Sequence, residues 1–514
     1  MLANLLVVAL IATAGNVTVD AVYPNPATQG DVGEFVVLDV PEAAEVTDLT
    51  LTDGEDSVPL SGIDTTGTVV VSDQPELARR VVDAPIYTVD DGLALSNGGE
   101  RVAVRANGSV LDSMTYPEAP EAELYRQGRW VRPGRSQREP TAVSDVPVAT
   151  FVLPDRPGHF ERTLDRADRR ILLAGYTFTD DSIAQRLVEA HRRGVRVEVL
   201  LEGGPVGGVT DEQVAAVERL RSAGVPVRVM GTSRARYDYQ HAKYVVADDR
   251  LVVTSENWKP GGVGGNGSRG WAVAIANETL ADEAAAVFQQ DVEGVDSQLW
   301  EAARPADPSA ETPDNGSFPS RFEERTVTAD RATVLLAPDN AASELRRVLQ
   351  GANRSIAVQQ VSIARDGVLL NETLDAARRG VRVRILVSGA WFVETENQKL
   401  VSHLREIAGR ENLPLAARMV EPRSRFEYVH NKGVIVDDRA VVVGSVNWNP
   451  HSLSENREVA VLIEDRGAAE YYGRVFRADW RGAAWRIPWL VLAAAGLALV
   501  GGVVLARRIG RFEN

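Results

Sequence analysis

The sequence predicts a multidomain chain: a small β-sandwich, then a duplicated α/β unit, then one transmembrane helix. Three observations predict it. Short β-type runs bounded by turn formers fill residues 17–135. A helix–glycine–strand pattern occurs twice, with its glycines at Gly194 and Gly380, 186 residues apart. An uncharged run of 20 residues lies near the end of the chain. A length of 514 residues is also too great for one ordinary domain.

Taken in order, residues 2–14 form a short apolar run that closes with Ala12-Thr13-Ala14. That small-x-small pattern predicts a signal peptide over 1–14. In 17–135 the runs 34–40, 68–72 and 101–105 alternate with turn pairs such as Asp53-Gly54 and Asn107-Gly108, and no helical period interrupts them. From about residue 145 the period changes. A strand is expected at 171–174, and a helix at 181–193 with Ile183, Leu187 and Ala190 on one face. Gly194 caps that helix, and a strand follows at 195–201. The same order around Gly380 gives two α/β domains, 145–300 and 328–480, joined by a linker at 301–327 rich in Pro, Ser and acidic residues. The uncharged run 487–506 is long enough to cross a bilayer. Arg507, Arg508 and Arg511 then predict a cytoplasmic tail at 507–514, which leaves the larger domains outside a cell membrane on a single span. Seven Asn-x-Ser/Thr sequons fit that location.

Composition narrows the chemistry. The chain has no cysteine, which removes disulfides, thiolate nucleophiles and Cys-ligated zinc together. Asp and Glu number 72 against 56 Lys and Arg, a net charge of −16, which argues against broad binding to nucleic-acid phosphates. Only four lysines occur, so nearly every cation is Arg. Such a balance resembles a halophilic protein, and in concentrated salt net charge says less about partners.

Each α/β copy ends in the same unusual string. The first has His241 and Lys243, then Asp248, Ser255 and Asn257; the second has His430 and Lys432, then Asp437, Ser445 and Asn447. Two of the six histidines and two of the four lysines thus fall at matched places in a repeat. His-x-Lys on a strand would put both side chains on one face. Ammonium and amide donors beside an imidazole make a phosphate pocket. Two such pockets facing each other supply two imidazoles, one to attack phosphorus and one to protonate the leaving oxygen. No convincing metal-ligand cluster is present, and neither a metal nor a cofactor is expected.

His-x-Lys-x4-Asp followed by Gly-Ser-x-Asn resembles the signature of the phospholipase D superfamily, and the likeness covers roughly 145–480. It implies a duplicated α/β phospholipase D fold with one active site between the copies. His241 and His430 would be nucleophile and general acid. Lys243, Lys432, Asn257 and Asn447 would hold the phosphate, Ser255 and Ser445 would support their loops, and Asp248 and Asp437 would be structural. Glu458 resembles the acidic residue that orients a catalytic histidine. The first half has Thr254 where Gly is expected, and no counterpart of Glu458 is evident near Arg269-Gly270-Trp271. The family's usual order points to His241 as nucleophile, and the missing carboxylate points the other way. The glycine-rich run 261–265 reads as a mobile rim loop or a plain connection.

In the β region, residues 22–26, 33–38, 93–97 and 110–116 resemble strands of a lamin-tail domain, which implies an immunoglobulin-like sandwich with a binding or spacer role. Three functions stay open. A phospholipid enzyme, hydrolytic or cardiolipin synthase-like, is favoured by the membrane span. An extracellular nuclease is favoured by the lamin-tail likeness, and a non-enzymatic surface binding protein by the degraded first motif. The partners implied are a phospholipid or nucleic-acid phosphodiester and the membrane itself, with no obligate protein partner.

Overall fold

The computed structural model describes residues 16–482, apart from stretches at 27–31, 43–47, 91–93, 232–234 and 311–314 and positions 62, 64, 80, 83, 295 and 423. The expected signal peptide (1–14), transmembrane helix (487–506) and tail (507–514) lie outside the described residues. Among those that are described, no helix is long and apolar enough to cross a membrane.

The N-terminal region forms two sheets, of six and four strands, around a shared apolar core that includes Val22, Leu38, Leu51, Val71, Val102 and Val104. The strand Glu100–Ala106 buries Val102 and Val104 on the core face and exposes Arg101 and Arg105 on the other, where only the small Ala103 is covered.

The α/β region is one sheet of fifteen strands. Its centre is a pair of 13-residue strands, Thr141–Leu153 and Arg325–Ala337, which run antiparallel from Thr141 opposite Val334 to Thr150 opposite Arg325. From this seam the two copies run outward in the same order. The first has Gly270–Ala276, Arg250–Thr254, Tyr244–Ala247, Arg170–Gly175, Arg196–Glu202 and Val227–Met230, with Ser297–Leu299 added at the edge. The second has Glu458–Glu464, Ala440–Gly444, Lys432–Val436, Ser355–Gln360, Arg382–Val387 and Leu415–Met419.

Local chemistry explains the repeated helix and strand. Asp180 caps the helix Asp181–Arg192 by accepting from the Ile183 amide at 3.0 Å. Gly194 and Gly380 both have φ +94°, the left-handed conformation that ends each helix and turns the chain into the next strand. One core spans both copies and holds Trp271 stacked on Tyr472 at 4.7 Å, and each copy has a further core on its own helices. The chain leaving the β region grips the α/β body beside its seam: Arg135 pairs with Glu455 at 2.7 Å, and Arg132 pairs with Asp238.

Candidate active site

Both histidines sit just before a strand. His241 precedes Tyr244–Ala247, and His430 precedes Lys432–Val436. The expectation that each His-x-Lys lies within a ladder strand is therefore corrected. The histidines occupy extended lead-ins that pair across the seam. The His241 amide donates to the Arg457 carbonyl at 2.9 Å, and the His430 amide donates to the Arg269 carbonyl at 3.0 Å. Each lead-in is thus held by the opposite copy, and that is how two distant motifs reach one site. Arg457 and Arg269 are themselves buried anchors, tied to Asp291 (3.0 Å) and to Asp155 (2.6 Å).

The side chains follow. His241 Nδ1 lies 2.9 Å from both oxygens of Glu458, a fully buried residue of the second copy. Ser452 and Asn456 also donate to the Glu458 carboxylate, which fixes its plane. His430 Nδ1 lies 3.3 Å from Glu256 Oε2, and the Ser268 hydroxyl donates to that same oxygen at 2.6 Å. The expectation that the first half lacks an orienting carboxylate is thus corrected: Glu256, the central residue of Ser255-Glu256-Asn257, occupies that place. Its counterpart in the second copy is Val446, and the counterpart of Glu458 is Gly270. A Cβ added at Gly270 would stand 2.2 Å from Glu256 Oε1, so the Glu256 carboxyl fills the space that a side chain at 270 would take. The signal was present in sequence as a paired change, glutamate for valine at one position and glycine for glutamate at the other.

Lys243 and Lys432 are buried, and each Nζ donates 2.6 Å to the carbonyl of the histidine two residues before it. Lys432 Nζ also lies 3.1 Å from both ring nitrogens of His430 and 3.4 Å from the Ser255 carbonyl across the seam. Ser255 and Ser445 act alike, their hydroxyls accepting at 3.1 Å from the amides of Trp271 and Val459. They pin the loops that carry Asn257 and Asn447 to the next strand. Asp248 and Asp437 lie away from the histidines, in turns with φ +56° and +55°. Each accepts from three successive amides at 2.7–3.0 Å, those of Asp168, Arg169 and Arg170 or of Asn353, Arg354 and Ser355. The glycine-rich run is a packed turn rather than an open rim. Val263 is buried, and a Cβ at Gly262 would stand 2.4 Å from the Asn257 carbonyl oxygen.

Burial sets the charge states of these groups. Burial lowers both histidines to about 4, against the pull of Glu458 on His241 and with Lys432 adding to the effect on His430. Burial lowers Lys432 to about 8 and pushes Lys243 well below its ordinary value, with Lys432 as a repelling neighbour. Burial pushes Glu256 and Glu458 upward, but the histidine and lysine that each faces outweigh it, so both carboxyls end below their usual range. Burial, offset by Glu458 and Glu256, is what weakens the two lysines, and a phosphodiester anion beside them would restore part of the charge stabilisation that burial removes. Among the described residues no group of three His, Asp or Glu is placed to hold a metal ion.

Comparison with known proteins agrees with this duplicated architecture. The family profile described as "Cardiolipin synthase, PLD-like domain" matches residues 160–292 and again 345–480, together just over half of the chain. Cardiolipin synthase B of Salmonella typhi is 28% identical over 333 residues, covering 60% of this chain and 74% of that protein. A mitochondrial cardiolipin hydrolase of Xenopus laevis is 32% identical over 168 residues, 32% of this chain and 71% of its own length. Among solved structures, the phosphatidylserine synthase of Haemophilus influenzae Rd KW20 aligns with a TM-score of 0.49 at 13% identity, covering 65% of this chain and 89% of that one.

Proposed function

The chain belongs to the PLD-like cardiolipin synthase family, enzymes of the phospholipase D superfamily, and from that premise we propose that it transfers or hydrolyses phosphatidyl groups through a phosphohistidine. The observation that carries the reading is the pair of imidazoles, each backed by a buried carboxylate across the seam and accompanied by a buried lysine.

In this reading Glu458 accepts the Nδ1 proton of His241 and leaves Nε2 to attack phosphorus. A P–N bond forms and the P–O bond to the leaving alcohol breaks, as His430, which is neutral in the empty site and takes up a proton as the phosphate anion enters, gives that oxygen the proton. His430 then removes a proton from the incoming hydroxyl, whose oxygen attacks phosphorus and releases His241. An incoming lipid alcohol makes this transfer, and water makes it hydrolysis. Lys243, Lys432, Asn257 and Asn447 would hold the nonbridging oxygens as charge moves onto them. The bidentate contact of Glu458 supports His241 as the nucleophile, since the carboxylate absent from position 270 of its own copy is supplied across the seam.

The catalytic body is further read as lying outside a cell membrane on a span at 487–506, supported by that uncharged run and the arginines after it. The β region is read as a lamin-tail-like binding or spacer module. The test is an assay of the full chain with EDTA present, offering phosphatidylglycerol vesicles in one arm and plasmid DNA in the other. Turnover of lipid that is lost in both His241→Ala and His430→Ala is the expected result. Cleavage of DNA alone, or silence in both arms, would overturn it.

A further inference from the structure

Nearly all large apolar side chains of the described residues are covered, yet Trp391 is 87% and its neighbour Phe392 50% exposed. Exposed apolar patches of this kind mark contact surfaces. Their location is specific. They follow the strand Arg382–Val387, at the carboxyl end of parallel strands, where open α/β sheets bind ligands. From there the rings descend to the site in three near-perpendicular steps. Trp391 meets Phe392 at 5.7 Å, Phe392 meets Tyr428 at 5.9 Å, and Tyr428 meets His430 at 6.4 Å.

The other half repeats the arrangement more modestly. In the loop after the matching strand Arg196–Glu202, Val206 is 78% exposed. Its amide donates to the Tyr176 hydroxyl at 2.6 Å, and the Tyr176 ring lies 4.9 Å from His241. A ring beside each histidine therefore leads to a loop with an exposed apolar tip, through ring contacts in the second half and through one backbone hydrogen bond in the first.

We propose that this rim seats the mouth of the site in the surface of a phospholipid bilayer, with Trp391, Phe392 and Val206 entering the boundary between headgroups and acyl chains. The proposal rests on the phospholipid reading above and adds the means of access. In this arrangement a lipid whose phosphate stands between the histidines leads its chains out past Tyr428 or Tyr176, toward the exposed tips. Indole and phenyl rings suit that depth. The adjoining charges offer no cation track: the helix after the rim opens with Glu394 and Glu396, and its Lys399 is tied to Glu396 at 2.6 Å, so apolar insertion rather than charge would hold the rim to a lipid surface. A nucleic-acid strand would need a track of free cations there.

The experiment compares the full chain with its Trp391→Ser/Phe392→Ser variant on two substrates, long-chain phosphatidylglycerol in vesicles and dihexanoyl phosphatidylglycerol below its micelle concentration. The variant should lose about 10-fold or more in kcat/KM on vesicles, as expected for removing two apolar side chains from an interface, and keep its rate on the monomeric lipid. Equal loss on both substrates, or no loss on either, would overturn the proposal. A second readout holds even if the wild type turns over neither lipid. Brominated-lipid vesicles should quench the fluorescence that distinguishes wild type from Trp391→Phe, and added salt should not reverse it. Absence of that quenching, or salt-sensitive quenching by single-stranded DNA instead, would count against the bilayer.

Discussion

His241 and His430 receive the same support from residues at different motif positions. Glu458 stands at the start of the strand Glu458–Glu464 and reaches His241 with both oxygens at 2.9 Å. Glu256 stands one loop earlier in its copy and reaches His430 with one oxygen at 3.3 Å. Gly270, at the position matched to Glu458, leaves the room that the Glu256 carboxyl occupies. Within a duplicated fold, then, what is repeated is the place of the charge rather than the residue that brings it. The halves also differ beneath the histidines. Burial raises Glu202 to about 7, and it accepts from the Gln240 amide at 2.7 Å, whereas the second copy has Ser388 at the matching place.

The comparison can be broken most severely at its centre. Replacing either histidine by alanine should lower turnover by about 10⁴-fold, since each removes a nucleophile or a general acid. A rate for one variant within ten-fold of wild type would mean that a single half does the chemistry. The next effect separates place from residue. Glu256→Val and Gly270→Glu should each cost about 100-fold, the first by removing the carboxyl and the second by overfilling its space. The double variant, which rebuilds the second-half arrangement in the first half, should recover most of the loss in kcat. Failure to recover, with the protein folded by circular dichroism, would show that Glu256 acts in some other way. Glutamine at either carboxylate sharpens the contrast: Glu458→Gln should cost about 100-fold and Glu256→Gln about 10-fold, following their contact lengths.

Smaller effects belong to stability. Asp248→Asn and Asp437→Asn should each cost about 1–2 kcal/mol, measured by denaturant melts, because each carboxylate serves three amides. The two costs should match, since here the halves are alike. Last, both histidines have folded values near 4, below the unfolded value of about 6.5. Between those limits the unfolded chain binds more protons, so stability is fully present above pH 6.5 and is lost as the pH falls toward 4. The melting temperature should drop across that window, and less so in His241→Asn/His430→Asn.

Much of this was legible in sequence because it is local or repeated. Gly194 and Gly380 punctuate identical helix-to-strand turns, and the doubled His-x-Lys string reports its own matched positions. The carboxylate of the first half left only a paired change in sequence, and its role was hidden because it is defined by a contact across 174 residues of chain, from Glu256 to His430. Motif alignment compares position with position and looks for the acid at Gly270, where sterics forbid it. The lead-in geometry of the histidines escaped for a related reason. Their hydrogen bonds go to Arg269 and Arg457 of the opposite copy, and no period within one copy reveals that.

The crowding at Gly270 also constrains how such a sequence can drift. Starting from either arrangement, one substitution leaves two carboxyl groups in the volume of one, or none at all. Both intermediates should be unfit while both end states should work, a case of sign epistasis. Positions 256 and 270 should therefore change together or not at all across descendants of this chain, and a library that varies them singly would record two intolerant sites where there is one interchangeable pair.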